Sequence, residues 1–388
     1  MIASGPLRQT ARLLALWLVA AATRAPRLKT PVRRVLVLRP DHLGDLLFAT
    51  PALRRLRAGL SGVEIVALVG PWGEPILRRS PSVDSLITWD IPWFNRRPRR
   101  HVAEPYLSAV RLARTLERRG FDAALNLRFD FWWGALAAQL AGVPQRVGYA
   151  VREVRPFLTT PVPHATRRHE VEQNLALVDA FLGQAADLSP DDRLEFPLRD
   201  DEVGEAESLL ASRGIGAGDR LLAVHPGAGS PLKLWVPSGF AAVVDALATR
   251  LGAKVVLTGS SAEQTLVAAV QRHSRLQPVS VVGLTSVGVL AAIFRRARLV
   301  LGPDSGPLHL AVAVGAPTVH LYGPVDPRAF GPWGDSRRHA IVRADLPCSP
   351  CDRLDICALP GGGRPCMLSI SPDSVLEAAE RVLEATEG

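Results

Sequence analysis

Short apolar, β-rich runs alternate with stretches of helical periodicity, and the alternation occurs twice along the chain. The first series opens with Arg34–Leu38 (RVLVL). A helix from about Asp45 to Ala58 follows, with Leu46, Leu53, Leu56 and Leu60 at helical spacing. Strands are then predicted at Val63–Val69, Val83–Trp89, Ala123–Leu127 and Arg146–Tyr149. Helices are predicted at Tyr106–Arg119, Trp132–Leu140 and Val171–Leu182. A polar stretch at 184–219, rich in Asp, Pro and Gly, separates this series from the next. The second series predicts strands at Leu221–His225, Lys254–Thr258, Val279–Val282, Leu299–Leu301 and Thr318–Tyr322. Its helices are Ser238–Leu251, Glu263–His273, Val287–Arg296 and Pro307–Val314, and a last helix spans roughly Pro372–Glu387. Such alternation builds parallel sheets with helices on both faces. The domain reading is an extension at 1–30, a Rossmann-like domain at 31–185, a linker region at 186–218, a second Rossmann-like domain at 219–371, and a terminal helix at 372–388. Ligands of such sheets bind at the carboxyl ends of the strands.

The most informative junction lies in LGPDSGPLHLAVAVGAP, residues 301–317. An apolar strand runs into a turn, and a helix opens at Pro307, where a missing N–H costs nothing. Ser305 stands where an N-cap is expected. Gly306 admits a close ligand, and Gly315 with Pro317 stops the helix. A strand handing over to a glycine-softened helix N-terminus suits an anion, typically a phosphate. Asp304 adds an acceptor, and His309 on the same helix is either a phosphate ligand or a packed core histidine.

Three further motifs fall at strand ends. Arg39-Pro-Asp-His-Leu-Gly44-Asp45 leads into the first helix, so Asp45 reads as an N-cap or as a general base for an acceptor hydroxyl. Asp41 and His42 are its nearby rivals. The loop His225-Pro-Gly227-Ala-Gly229-Ser230 has the glycines of a phosphate loop without the Walker or dinucleotide spacing. Lys233 follows it. The chain has only three lysines (Lys29, Lys233 and Lys254) among 46 basic residues, and one retained beside such a loop suits a leaving diphosphate. Glu263 could hold a ribose diol or simply favour the helix dipole. No DxD pair appears in these motifs, so a nucleotide-bound catalytic metal has no obvious ligands.

Charge changes the picture at the N-terminus. The net charge is +9, and residues 1–40 carry eight basic and no acidic side chains. The remaining chain is close to neutral, which argues against a general nucleic-acid surface. Within the extension, Leu13–Ala22 is ten apolar residues between arginines, too short to span a membrane. It reads as a helix lying on an anionic membrane face, as a signal-like segment, or as an unstructured extension. The first is preferred, because the rest of the chain calls for a cytosolic nucleotide substrate. Arg97 and Arg99, in the run Arg96-Arg97-Pro98-Arg99-Arg100, could dock an anionic acceptor. All four cysteines, Cys348, Cys351, Cys357 and Cys366, fall in a C-x2-C-x5-C-x8-C array. The array is compatible with a structural Zn²⁺, an Fe–S cluster or two disulfides.

Taken together, LRPDHLGDLLFATPALRRL, RVGY, HPGAGSPLKLWVPSGF, VVLTGSSAEQ, the 301–327 segment and the CSPC…C…C tail resemble glycosyltransferase family 9. Its best-known members are ADP-heptose:lipopolysaccharide heptosyltransferases. The resemblance covers about Arg34–Met367. It implies a GT-B architecture, two Rossmann-like domains with parallel sheets facing a central cleft. The acceptor would sit in the N-terminal half and the ADP-sugar in the C-terminal half. It implies an inverting, metal-independent transfer of a heptose-like sugar to a lipopolysaccharide or other lipid-linked envelope saccharide, on the cytoplasmic side of the inner membrane.

By the same resemblance Asp45 is the catalytic base, and Arg39 with Gly44 binds the acceptor or its phosphate. Lys233 meets the donor phosphates, and Asp304, Ser305, Gly306 and His309 hold the donor phosphates and sugar. Gly227 and, more loosely, Glu263 complete the donor site. The cysteine tail and the N-terminal extension depart from the well-studied members. A sugar-nucleotide epimerase or hydrolase, or a non-catalytic nucleotide-sugar-binding protein, are the alternatives on the same fold.

Overall fold

A computed structural model describes residues 17, 31–95, 101, 103–185, 187–189, 191–359 and 363–387. Two compact units emerge. One takes in the described residues up to His42 and Ala49–Asp192; the other combines Leu43–Phe48 with Arg193–Gly388.

The first unit is built on six parallel strands: β1 (Arg34–Leu38), β2 (Glu64–Val69), β3 (Ser85–Thr88), β4 (Ala123–Asn126), β5 (Gln145–Tyr149) and β6 (Thr160–Val162). Their spatial order is β3-β2-β1-β4-β5-β6. In register, Arg34 faces Glu64 and Val35 faces Ala123. The central strands read as continuous apolar runs because both faces of a parallel sheet are covered. Leu36, Leu38, Val66, Leu68 and Ala124 are accordingly buried in one core. Helix α1 (Leu43–Gly59) carries Leu46, Leu53 and Leu56 fully buried at helical spacing. Leu60, expected on the same stripe, is instead the residue that ends the helix. Helices α2 (Glu104–Arg119), α3 (Trp132–Leu140) and α4 (Glu170–Leu182) supply the later crossovers.

The second unit repeats the plan. Its strands are β7 (Leu221–Val224), β8 (Lys254–Leu257), β9 (Val279–Ser280), β10 (Leu299–Pro303), β11 (Thr318–Tyr322) and β12 (His339–Arg343). They run parallel in the order β12-β11-β10-β7-β8-β9. Both sheets therefore reverse direction between their first and fourth strands, the switch point at which open α/β sheets bind ligands. Helices α5 (Asp200–Ala211), α6 (Pro237–Leu251), α7 (Gln264–His273), α8 (Val287–Arg296) and α9 (Gly306–Ala313) accompany them. The last helix, α10 (Pro372–Glu387), buries Val375, Ala378, Ala379, Val382 and Leu383 against this core. That spacing is one face of an amphipathic helix.

Two strands lie outside the sequence expectation. Strand β6 is a three-residue edge strand, TPV, whose proline removes a ladder donor and weakens the signal. Strand β12, HAIVR, sits at the opposite edge of the other sheet and is only partly buried. Helix α1 begins three residues after Pro40, with His42 as its N-cap residue, so Asp45 lies inside the first turn and is not the cap.

Candidate functional site

The carboxyl end of β10 delivers Asp304, whose N–H donates to Leu321 O at 3.0 Å. Its carboxylate is buried and divided between two partners. Lys233 Nζ lies 2.6 Å from Oδ2, and His309 Nε2 lies 3.4 Å from Oδ1. Burial alone would raise the Asp304 carboxyl, but Lys233 and His309 more than offset it and hold the group well below the usual carboxylate range. Lys233 arrives from the loop after β7, where Pro231–Lys233 forms a 3₁₀ turn and Ser230 Oγ accepts from Leu232 N at 3.1 Å. Glycine is required at 302 at the start of this arrangement. A Cβ there would overlap the His225 carbonyl and the Leu308 side chain.

Ser305 occupies the N-cap position of α9, but its hydroxyl does not cap the helix as the sequence suggests. With the backbone extended (φ −157°, ψ 158°), its carbonyl takes the Leu308 and His309 N–H groups. Its Oγ is buried and has no hydrogen-bond partner. The first turn of α9 is thus uncapped by side chains and carries an orphaned hydroxyl, and the preceding residue, Asp304, holds the Lys233 ammonium. Together these suit an anion. The first turn of α1, part of the same unit, packs here. Phe48 and His309 have ring centroids 4.6 Å apart, and a Cβ on Gly44 would meet the His309 ring at 3.0 Å. Gly306 is equally tight, 3.0 Å from Leu43 Cβ by the same construction. Asp45, partly exposed, is the next residue along from Gly44.

At the end of β8 the Glu263 carboxylate accepts from Ser260 N at 2.7 Å and Ser260 Oγ at 2.8 Å, closing a capping box. Its other oxygen lies against Gly227, where any Cβ would overlap it. His225 reaches Thr258 Oγ1 at 3.0 Å, and that hydroxyl donates to Val224 O at 3.2 Å. The imidazole Nδ1 therefore carries the proton and Nε2 is bare. Burial pushes His225 down to about 4, against the opposing pull of Glu263.

Behind Asp304 lies a buried polar layer that the sequence reading did not single out. His320 Nε2 and His339 Nδ1 both sit 2.9 Å from Thr318 Oγ1, and the His320 and His309 rings are 5.5 Å apart. Burial, reinforced by His309 and His339, pushes His320 well below its ordinary value. The signal available was the T-x-H pattern in an apolar strand, which puts both polar side chains on one face.

In the first unit the corresponding strand ends carry an ion network. Arg39 is buried, with Nε 2.9 Å from Asp41 Oδ2 and Nη2 2.9 Å from Glu170 Oε1; it also donates to Leu127 O and Asn174. Arg128 pairs with Asp41 and, at 2.5 Å, with Asp130, and lies over the Phe94 ring at 5.0 Å. Burial raises the Asp41 carboxyl, but the two arginines lower it further. Arg39 thus ties β1, β4 and α4 together from within. Arg128 was not singled out from the sequence because Asp41 and Phe94 reach it from distant segments.

The cysteines correct an expectation. All four are free, and no group of three or more His, Cys, Asp or Glu among the described residues could hold a metal ion. Cys366 is buried beside Gly323, whereas Cys348 and Cys351 are exposed on a loop tied to Pro324 by the Cys351 N–H at 2.9 Å. The structure therefore shows no disulfide among the four and gives the structural Zn²⁺ site no support. Arg97, Arg99 and the 1–30 extension, apart from Trp17, lie outside the described residues. Among the described residues no helix is long and apolar enough to cross a membrane.

The sequence pattern of Glycosyltransferase family 9 (heptosyltransferase) matches residues 109–357. The chain belongs to this family. Lipopolysaccharide heptosyltransferase 2 of Escherichia coli K12 is 25% identical over 90% of the family 9 chain and 98% of its own length. Among solved structures, a glycosyl transferase family 9 protein from Veillonella parvula superposes with a TM-score of 0.75 at 25% identity, covering 93% of this chain and 99% of that one. E. coli ADP-heptose lps heptosyltransferase II gives 0.72 at 21% identity over 92% and 100%, a likeness of fold. The two six-stranded parallel sheets are those of the GT-B heptosyltransferases.

Proposed function

We propose that this family 9 glycosyltransferase moves a heptose-like sugar from an ADP-sugar to a lipopolysaccharide-core or related lipid-linked saccharide, with inversion at the anomeric carbon. The observation that carries the reading is the cluster at the end of β10. Lys233, Asp304, His309 and the uncapped start of α9 meet there, beside the turn that bears Asp45. The E. coli relative's name supplies the sugar and acceptor class.

In this reading the second unit binds the donor. The diphosphate lies at the α9 N-terminus, where Ser305 Oγ and the backbone N–H groups donate, and Lys233 neutralises it. Asp304 fixes the ammonium and His309. Glu263, held against Gly227, faces the ribose. The Asp45 carboxylate takes the proton of the acceptor hydroxyl as its oxygen attacks the anomeric carbon. The bond from that carbon to the diphosphate oxygen breaks, and ADP departs with the electron pair. Lys233 and the helix N-terminus stabilise that charge, the part a metal plays in other transferases. The first unit binds the acceptor, with Arg39 and Asp41 holding the edge on which Arg128 stands. The site faces the cytoplasm, where nucleotide sugars are found.

The test is Asp45→Asn combined with a thermal-shift screen of ADP-, UDP- and GDP-sugars. ADP-sugars are expected to stabilise both proteins, while transfer falls about 10²–10⁴-fold in the variant. Stabilisation by UDP-sugars alone, or retained transfer, would overturn the donor or the base respectively. Sugar release without acceptor would instead favour a hydrolase.

A further inference from the structure

We propose that the N-terminal half of α2, with Trp93, is the surface by which the first unit rests on an anionic phospholipid membrane. The proposal rests on the lipid-linked acceptor of the proposed function.

Tyr106, Leu107 and Val110 are exposed on one side of α2, Leu107 by 61%, although the opposite side of the same helix is fully buried in the core. Trp93 is exposed as well. Its ring and that of Tyr106 both pack on the buried Trp132, at 5.5 and 5.9 Å, so the two exposed aromatics share one base, and Leu107 and Val110 lie on the same helix as Tyr106. Large side chains left exposed and contiguous mark an interaction surface, not chance exposure.

The chemistry of the rim identifies the occupant. Further along the exposed face of α2 come Arg111, Arg114 and Arg118; the exposed acidic residues of the helix are Glu104 in its first turn and Glu117. An apolar, Trp- and Tyr-bearing tip bordered by arginines is the pattern of a helix seated at a membrane interface. There the rings lie at headgroup depth and the guanidinium groups meet lipid phosphates.

Position supports the same occupant. A helix that joins two parallel strands runs against them, so the start of α2 lies at the carboxyl edge of the sheet. Trp93 follows β3 and Trp132 opens α3 directly after β4, placing all of the patch at that edge. This is the edge on which the sheet binds its ligand. A membrane held there would present a lipid-anchored acceptor where the first unit receives it.

The experiment uses the full chain with Leu107→Glu and Val110→Glu together, and separately with Arg111→Gln and Arg114→Gln. Partitioning is measured by flotation with vesicles of phosphatidylethanolamine and phosphatidylglycerol, and with neutral phosphatidylcholine vesicles. Wild-type protein is expected to partition onto the anionic vesicles, and each double variant about tenfold less, with an unchanged unfolding temperature. Transfer to a deacylated, water-soluble acceptor should stay the same in both variants, while transfer to the acylated acceptor in vesicles should fall. Unchanged partitioning of the variants would overturn the proposal, as would equal loss on both acceptors. A concentration-dependent dimer abolished by the Glu variant would assign the patch to a second copy and also overturn it. If neither acceptor were used by wild-type protein but partitioning still depended on the patch, the transferase reading would fail and the surface would stand.

Discussion

Asp304 is a buried carboxylate kept ionised by one ammonium and one imidazole, and its neighbours inherit their positions from it. Removing Lys233 leaves that charge short of its main partner. Lys233→Ala is expected to destabilise the protein by about 3 kcal/mol in urea unfolding and to weaken ADP-sugar binding in the same preparation. Full stability with weakened binding would mean that the pair serves the ligand alone. Lys233, Asp304 and His309 stood out in the sequence because they fall in or just after the glycine-bearing segments that follow β7 and β10. Thr258 and Arg128 did not, because their roles show only through partners brought from other segments, and the T-x-H pattern of Thr318 and His320 was passed over inside an apolar run. The resemblance assigned Arg39 to the acceptor or its phosphate, but the structure buries it. What the sequence did not carry is that its donors go to Asp41, Glu170, Asn174 and the Leu127 carbonyl inside the fold.

At the scale of elements, apolar runs placed the central strands and glycines placed the turns. Edge strands β6 and β12 escaped because short, half-buried strands have no continuous apolar run. The cysteine array misled, since spacing cannot say which thiol is packed into a core. Glycine 302 illustrates why the strand-to-helix junction is built as it is. Its Cα faces the His225 carbonyl of the neighbouring strand end and the first turn of α9 at once. Gly302→Ala is expected to cost about 3 kcal/mol, because one of the two obstacles is backbone and cannot swing away. A loss under about 1 kcal/mol in urea unfolding would show that β7 and β10 separate easily there.

The molecule as a whole uses one topology twice and loads it differently. The first sheet carries an ion network and an aromatic edge, the second a lysine–carboxylate pair backed by buried histidines. This difference makes stability depend on pH in a definite direction. His225 and His339 are both pushed down to about 4, mainly by burial, and burial also pushes His320 well below its ordinary value. A histidine whose folded value lies below its unfolded one, near 6.5, contributes fully above pH 6.5. That contribution fades as the pH falls towards the folded value, because the unfolded chain then binds more protons. Between pH 6 and 4.5 His225 and His339 should each remove about 1 kcal/mol per pH unit, with His320 acting in the same direction. Asp304, depressed instead, loses its contribution only below the ordinary carboxylate range. A melting temperature that stays flat from pH 7 to 4.5 would contradict the buried-neutral assignment.

The central claim is chemical transfer, and one measurement reaches it directly. Full-length protein is incubated with ADP-heptose and a heptose-deficient lipopolysaccharide acceptor, and the acceptor is examined by mass spectrometry and NMR. The expected result is an acceptor one heptosyl group heavier, with the anomeric configuration opposite to that of the donor and one ADP released per transfer. ADP release without acceptor modification, or transfer with retained configuration, would contradict it.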